Sequence, residues 1–303
     1  WEQSELDNLR FSYADILEGR GRYEEVLDFY EEWLPTATTQ SQLFQRYLSA
    51  LVMNDQIDNA DAKVLEWLKI AERDGRLVAS LDDSVLPKQI REKLAQHKFA
   101  RIRVIGQGTA AIAGRSLAQL LRTLVDHSVQ VDALPATELS GFQLDLDMSD
   151  TLVVAISQSG TTTDTNRTVD LARSRGAAIL AIVNRRGSEL AAKADGVLYT
   201  SDGRDVEMSV ASTKAFYAQV AAGALLSCAI SDAANLGSPQ LRSRVLGSLR
   251  RVPDAMRAVI EQRPAIADAA RRHAPAKRYW AVVGNGGNAV AAHEVRIKLS
   301  ELC

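Results

Sequence analysis

The chain has 303 residues, 46% hydrophobic and 24% charged, a composition that suits packed globular structure and leaves room for two or three domains. A formal net charge of −2 excludes the basic footprint of a nucleic-acid binder or of a protein held on an anionic membrane. Two cysteines, Cys228 and Cys303, offer no disulfide framework, and with four scattered histidines they show no metal-ligand spacing. Neither a metal nor another cofactor is expected. No signal peptide and no apolar run of spanning length is read from the sequence, so the expected location is a reducing cytoplasm. The chain opens on Trp1 and stops at Cys303 within a helical pattern, and both ends read as cut from something longer.

Residues 1–74 are helical by pattern, with helices expected at about 4–18, 22–34, 40–53 and 57–72. A shift of 34 residues aligns Glu32-Trp33-Leu34 with Glu66-Trp67-Leu68, Tyr13 with Tyr47, and Leu17 with Leu51. Stacked helix–turn–helix units carry that period, and the region resembles tetratricopeptide repeats. It is either a partner-binding repeat module or an irregular helical cap. A polar linker with one helix follows over 75–98.

From residue 99 to 235, apolar β-branched runs alternate with helical patterns. Strands are expected at Ala100–Ile105, Val129–Ala133, Thr151–Ile156, Ala178–Val183 and Gly196–Thr200. The alternation predicts a doubly wound, parallel α/β sheet of flavodoxin-like order. Ligands there bind beyond the carboxyl ends of the first and third strands.

The third strand runs directly into Ser157-Gln158-Ser159-Gly160-Thr161-Thr162, followed by a helix to about Arg175. Free N–H groups and the positive end of a helix dipole would meet four hydroxyls at this turn, which makes an anion site without Lys or Arg. The plainer reading is that these hydroxyls only cap the helix.

The first strand ends in Gly106-Gln107-Gly108-Thr109. Ala111 stands where the dinucleotide fingerprint needs a third glycine, and no acidic residue ends the second strand. The pair of glycines therefore points to close approach of a smaller ligand. The loop at 202–212 leads into a long apolar helix, with Ser212 as a natural N-cap and Lys214 in need of a carboxylate such as Glu207 or of a ligand anion.

Connecting helices fill 236–276, where Pro253 and Pro264 read as first-turn prolines. Over 277–303, Arg278-Tyr-Trp-Ala-Val-Val283-Gly284-Asn285-Gly286 repeats the opening strand and Gly turn. The helix after it places Glu294, Lys298 and Glu301 on one face. Taken by itself that face is a surface ion-pair ladder.

Ser157-Gln-Ser-Gly-x-Thr162-x-Asp164, Val210-Ala-Ser-Thr-Lys-Ala-Phe216 and the two Gly turns resemble the SIS (sugar isomerase) family, in the form of the synthase domain of glucosamine-6-phosphate synthases. The resemblance covers about 95–303: one SIS unit and the start of a second. It implies that Ser157, Gln158, Ser159 and Thr162 hold a sugar phosphate and its nearby hydroxyls. Thr109, the Val210 backbone and Ser212 would lie beside the sugar. Glu301 would be the proton-transferring base, with Lys298 and Glu294 on the same helix face. The implied reaction is ketose–aldose isomerisation, with amination, of fructose 6-phosphate. An ammonia donor, on another domain or partner, and a homodimer come with it. Ala110 and Thr161 depart from the family pattern, which has Ser and Glu there, and the sequence stops at Cys303, before the positions of the family's ring-opening His and C-terminal lysine-bearing tail. Two other readings stay open: a sugar-phosphate-sensing module whose helical repeats hold a partner protein, and an amino-sugar-phosphate deaminase or deglycase.

Overall fold

The computed structural model describes residues 3–33, 46–47, 50–51, 54, 83–125, 127–201, 212 and 214–302. The chain divides into two units, Trp1–Ser80 and Leu81–Cys303.

In the first unit, helices α1 (Gln3–Gly19) and α2 (Tyr23–Trp33) meet across a turn at Gly21, whose φ of 70° suits a residue without Cβ. Apolar faces bury Ala14, Leu17, Val26, Tyr30 and Trp33 together with Tyr47 and Leu51. The Tyr30 hydroxyl donates to the buried Glu18 carboxylate at 2.5 Å, and Arg46 pairs with the same group at 3.1 Å. Of the positions matched by the 34-residue shift, Leu17 and Leu51 are both buried, whereas Tyr13 is half exposed and Tyr47 is buried. The helix expected at 57–72 lies outside the described residues, as does most of that at 40–53.

The second unit opens with helix α3 (Lys88–Ala95) and is built on five parallel strands: β1 (Arg101–Gly106), β2 (Gln130–Pro135), β3 (Thr151–Ser157), β4 (Ala178–Val183) and β5 (Gly196–Tyr199). Their order is β2-β1-β3-β4-β5, with every neighbouring pair parallel. All seven residues of β3 are buried, as its unbroken apolar run requires of a central strand covered on both faces. Side chains alternate across the sheet. Val153 and Ala155 face a cluster with Leu139 of α5 (Ala136–Phe142), Val169 of α6 (Thr163–Ser174) and Leu190 of α7 (Glu189–Lys193). On the opposite face Gly114 of α4 (Thr109–Leu124) lies against Val104 and Ile156. The expected α/β sandwich is the observed one.

Helix α8 (Lys214–Ala233) packs on α4, where Gly223 admits the Leu117 side chain at 3.2 Å from its would-be Cβ. It corrects one expectation: α8 is long and apolar enough to cross a membrane, but 67% of its most apolar window is buried within the protein. Its thiol, Cys228, is fully buried.

Helices α9 (Pro239–Glu261) and α10 (Arg263–His273) follow. Pro264 sits in the first turn of α10 as expected, but Pro253 lies inside α9 rather than starting a helix. The surrounding turns are exposed, so the carbonyl that loses its internal donor stays within reach of solvent.

The final helix is α11 (Gly287–Leu302). A single shift carries α4 onto α11, Thr109 to Gly287 and Leu124 to Leu302, and the turns before them coincide in conformation. Gly108 and Gly286 have φ of 55° and 51°. A Cβ on Gly106 would meet Ala110 C at 2.8 Å and Ala111 N at 2.9 Å. One on Gly284 would meet Asn288 C at 2.6 Å and Ala289 N at 3.0 Å. The duplicated turn is therefore real at backbone level. The expected strand at 278–283 is not: this segment forms no strand, and Tyr279 and Val283 are 81% and 92% exposed. Its counterpart β1 is held between β2 and β3, and no described strand flanks 278–283, so the ladder bonds that define a strand have nothing to form with.

Candidate functional site

Beyond the carboxyl ends of β1 and β3 lies a cavity of about 340 Å³, within the usual size of small-molecule sites, roughly 300–1,000 Å³. It is lined by the Gly turn (Gln107 to Ala110), the loop after β3 (Ser157, Gln158, Ser159, Thr162), Ser212 and Gln219, and Glu301 of α11. No Lys or Arg is among these lining residues.

The loop after β3 is shaped by its own polar groups. Ser157 Oγ, buried at the strand end, accepts from the Gly160 N–H at 3.0 Å and shares a hydrogen bond of 3.2 Å with Thr162 Oγ1. Ser159 Oγ accepts from the N–H and hydroxyl of Thr161, at 3.2 and 3.0 Å. Gly160 has φ of 66°, and a Cβ there would strike Ser188. The loop carbonyls are tied to neighbours. Gln158 O accepts from Asn184 N–H at 3.1 Å, while Asn166 Nδ2 donates to Gly160 O and Thr162 O, both at 3.1 Å. Acceptors are thus engaged elsewhere, while the first N–H groups of α6 have no partner within the helix. Thr162 occupies the N-cap position of α6 without a side-chain capping bond. For this hydroxyl the capping reading fails, since its partner is Ser157.

The charged face of α11 comes to the same place. Thr109 Oγ1 donates to Glu294 Oε1 at 3.1 Å and accepts from Lys298 Nζ at 3.0 Å. Lys298 also pairs with Glu294 at 3.0 Å and Glu301 at 3.2 Å. Burial alone would lower the Lys298 pKa, but the Glu294 and Glu301 carboxylates outweigh it and leave the ammonium raised. Glu294 is 6% exposed and its second oxygen, Oε2, has no hydrogen-bond partner. Apolar packing holds this geometry: Val290 and Ile297 of α11 lie against Ile112 and Ala113 of α4 and Phe216 of α8.

Of the residues singled out in the sequence, Thr109, Ser157, Gln158, Ser159, Thr162, Ser212 and Glu301 line one cavity. Lys298 and Glu294 adjoin it through Thr109. Val210 and Glu207 lie outside the described residues, and so does Thr213, on which the capping geometry of Ser212 depends. Three contributors were not foreseen. Asn166 positions the loop, and Gln107 bridges Thr137 and Asp164 at 3.4 and 3.2 Å. Gln219 is an amide within the apolar run of α8, and that isolation was the available signal. A larger cavity, about 720 Å³, flanks α11 along Lys277–Val282. It is the open side of the unpaired segment and contains none of the hydroxyl loop.

Comparison with known proteins agrees with this architecture. Residues 93–229 match the SIS domain family. Glutamine–fructose-6-phosphate aminotransferase [isomerizing] of Halobacterium salinarum is 34% identical over 228 residues, covering 75% of this chain and 37% of the relative. The protein of the same name from Thermus thermophilus is 35% identical over 202 residues, covering 67% of this chain and 32% of the relative. The chain thus spans about a third of the length of these relatives. The C-terminal domain of glucosamine-fructose-6-phosphate aminotransferase from Francisella tularensis superposes with a TM-score of 0.64 at 24% identity, covering 75% of this chain and 63% of that one. With the 2-1-3-4-5 sheet and the hydroxyl loop after β3, residues 93–229 are an SIS domain.

Proposed function

We propose that this chain binds a hexose 6-phosphate and carries the ketose–aldose step of a fructose-6-phosphate aminotransferase. The observation that carries this reading is that Glu301 lines the same cavity as the hydroxyl loop after β3. In it, the phosphate sits on the hydroxyls and amides of Ser157, Gln158, Ser159 and Thr162, which fix the open-chain sugar. Glu301 removes a proton from one of the two carbons C1 and C2 and returns it to the other through an enediol. Lys298 balances charge at the carbonyl oxygen, and a general base such as Glu301 contributes roughly 10²–10⁴-fold. Thr109 and Ser212 lie beside the sugar, and Glu294 holds Lys298 and Thr109 in place. Amination needs an ammonia donor on another domain or partner, and a homodimer and a cytoplasmic location accompany this reading.

The test is to incubate the protein with fructose 6-phosphate and assay glucose 6-phosphate, or glucosamine 6-phosphate when ammonia is supplied. Glu301→Gln is expected to leave fructose 6-phosphate binding within a few-fold of the parent while removing turnover. Turnover equal to the parent's refutes the assignment. Ligand-induced stabilisation without either product supports a binding-only, sensing module instead.

A further inference from the structure

Gln219 stands out among the residues that line the cavity. It is 2% exposed, on a helix whose other buried positions are almost all small or apolar, and its side-chain oxygen has no hydrogen-bond partner. A buried amide left unpaired destabilises the fold, so a Gln here costs stability unless something arrives to satisfy it. The neighbouring positions 216 and 220 are taken up by apolar packing, Phe216 and Val220 lying against Ile112 and Val290, which leaves Gln219 turned to the cavity rather than to a protein partner.

We propose that Gln219 is a sugar-binding residue whose side-chain carbonyl accepts a hydrogen bond from a hydroxyl of the bound sugar. This rests on the sugar-phosphate reading and adds to it a second recognition element on α8. The chemistry separates the two ends of the ligand. A carbonyl oxygen repels a phosphate dianion but accepts from a hydroxyl, whereas the loop after β3 offers donors to the anion. The Gln219 carbonyl oxygen therefore reads the polyol and not the phosphate.

The experiment compares the full chain with its Gln219→Met variant, which keeps the volume and removes the acceptor. Each is titrated calorimetrically with fructose 6-phosphate and with inorganic phosphate, and melted without ligand. Expected are a roughly tenfold loss of affinity for fructose 6-phosphate, the size of one net hydrogen bond, and an affinity for inorganic phosphate unchanged within about twofold. The ligand-free variant should melt no lower than the parent, because an unsatisfied group has been removed. Equal affinity for the sugar, an equal loss for both ligands, or a lower melting temperature each overturns the assignment. Should the variant not fold, the parent alone decides: the Gln219 side-chain amide resonances shift on adding fructose 6-phosphate and stay put with inorganic phosphate, and no shift with the sugar overturns it. A parent that takes up no fructose 6-phosphate defeats the sugar-phosphate reading itself, and this inference with it.

Discussion

Lys298 Nζ lies 3.0 Å from Thr109 Oγ1, joining the last helix to the first Gly turn across 189 positions of sequence. The two residues belong to the two copies of one strand–turn–helix unit. Thr109 starts α4, and Gly287 takes its place at the start of α11, so the hydroxyl exists in one copy only. Conversely, Ser116, Leu120 and Thr123 of α4 stand where α11 carries Glu294, Lys298 and Glu301. The copies have divided the work: one supplies the turn and its hydroxyls, the other the charges.

That division predicts coupling. Thr109→Val removes the hydroxyl that donates to Glu294 and accepts from Lys298, in a site where Thr109 is 8% exposed. A loss of about 1–3 kcal/mol in unfolding free energy is expected, the cost of orphaning buried polar groups. In a double-mutant cycle with Lys298→Met, followed by urea unfolding, the two effects should fall short of additivity by about 0.5–3 kcal/mol. Strict additivity would mean that the contact is not formed in solution.

Gly106→Ala tests the turn. The added Cβ would lie 2.8 Å from Ala110 C, 2.9 Å from Ala111 N and 3.0 Å from Ile156 O, all backbone atoms that cannot swing aside. Overpacking of this kind costs about 1–3 kcal/mol, which for a domain of this size lowers Tm by roughly 2–4 °C per kcal/mol. Gly141→Ala, on helix α5 with nothing near its would-be Cβ, is the control and should leave Tm unchanged or raise it by up to about 4 °C, never lower it.

Cys228 supplies a pH signature. Burial pushes its thiol up from 9.0 to about 11, with the nearby Asp232 adding to the shift. A raised folded-state pKa contributes stability that is fully present below the unfolded thiol's pKa, near 9, and is lost as pH climbs to about 11. Cys228→Ala should therefore narrow its stability gap to the parent over that window. Peptide mapping after alkylation at neutral pH should find Cys228 unmodified until denaturant is added.

Much of this is legible in the sequence. The five strands fell within one or two residues of their expected places because each is a short run rich in apolar residues and bounded by turn residues, with β3 apolar from Leu152 to Ile156. Chemistry was legible in the same stretches, since Ser157 to Thr162 and Thr109 end the two central strands where ligands gather. What the sequence did not disclose depends on neighbours. Pro253 reads locally as a helix start, yet α9 continues through it because its exposed flank leaves the freed carbonyl to solvent. Residues 278–283 have the pattern of β1, but strand structure needs adjacent strands to bond with, and pattern carries no information about those. Spacing alone makes the α11 face a solvated ladder, and only the family resemblance assigns it chemistry; its contact with Thr109 is one that no local spacing encodes. Gln219 was passed over because an amide in an apolar helix takes on meaning only when a cavity opens beside it.

The central claim is that neutral hydroxyls and main-chain amides beyond β3 take up the phosphate of a sugar. A crystal structure of the chain with fructose 6-phosphate tests it most directly. The account predicts phosphate oxygens at hydrogen-bonding distance, about 2.7–3.2 Å, from hydroxyls and amides of the Ser157–Thr162 loop. A phosphate seated instead on Lys277, Arg278 or Arg296 in the larger cavity beside α11 would contradict it.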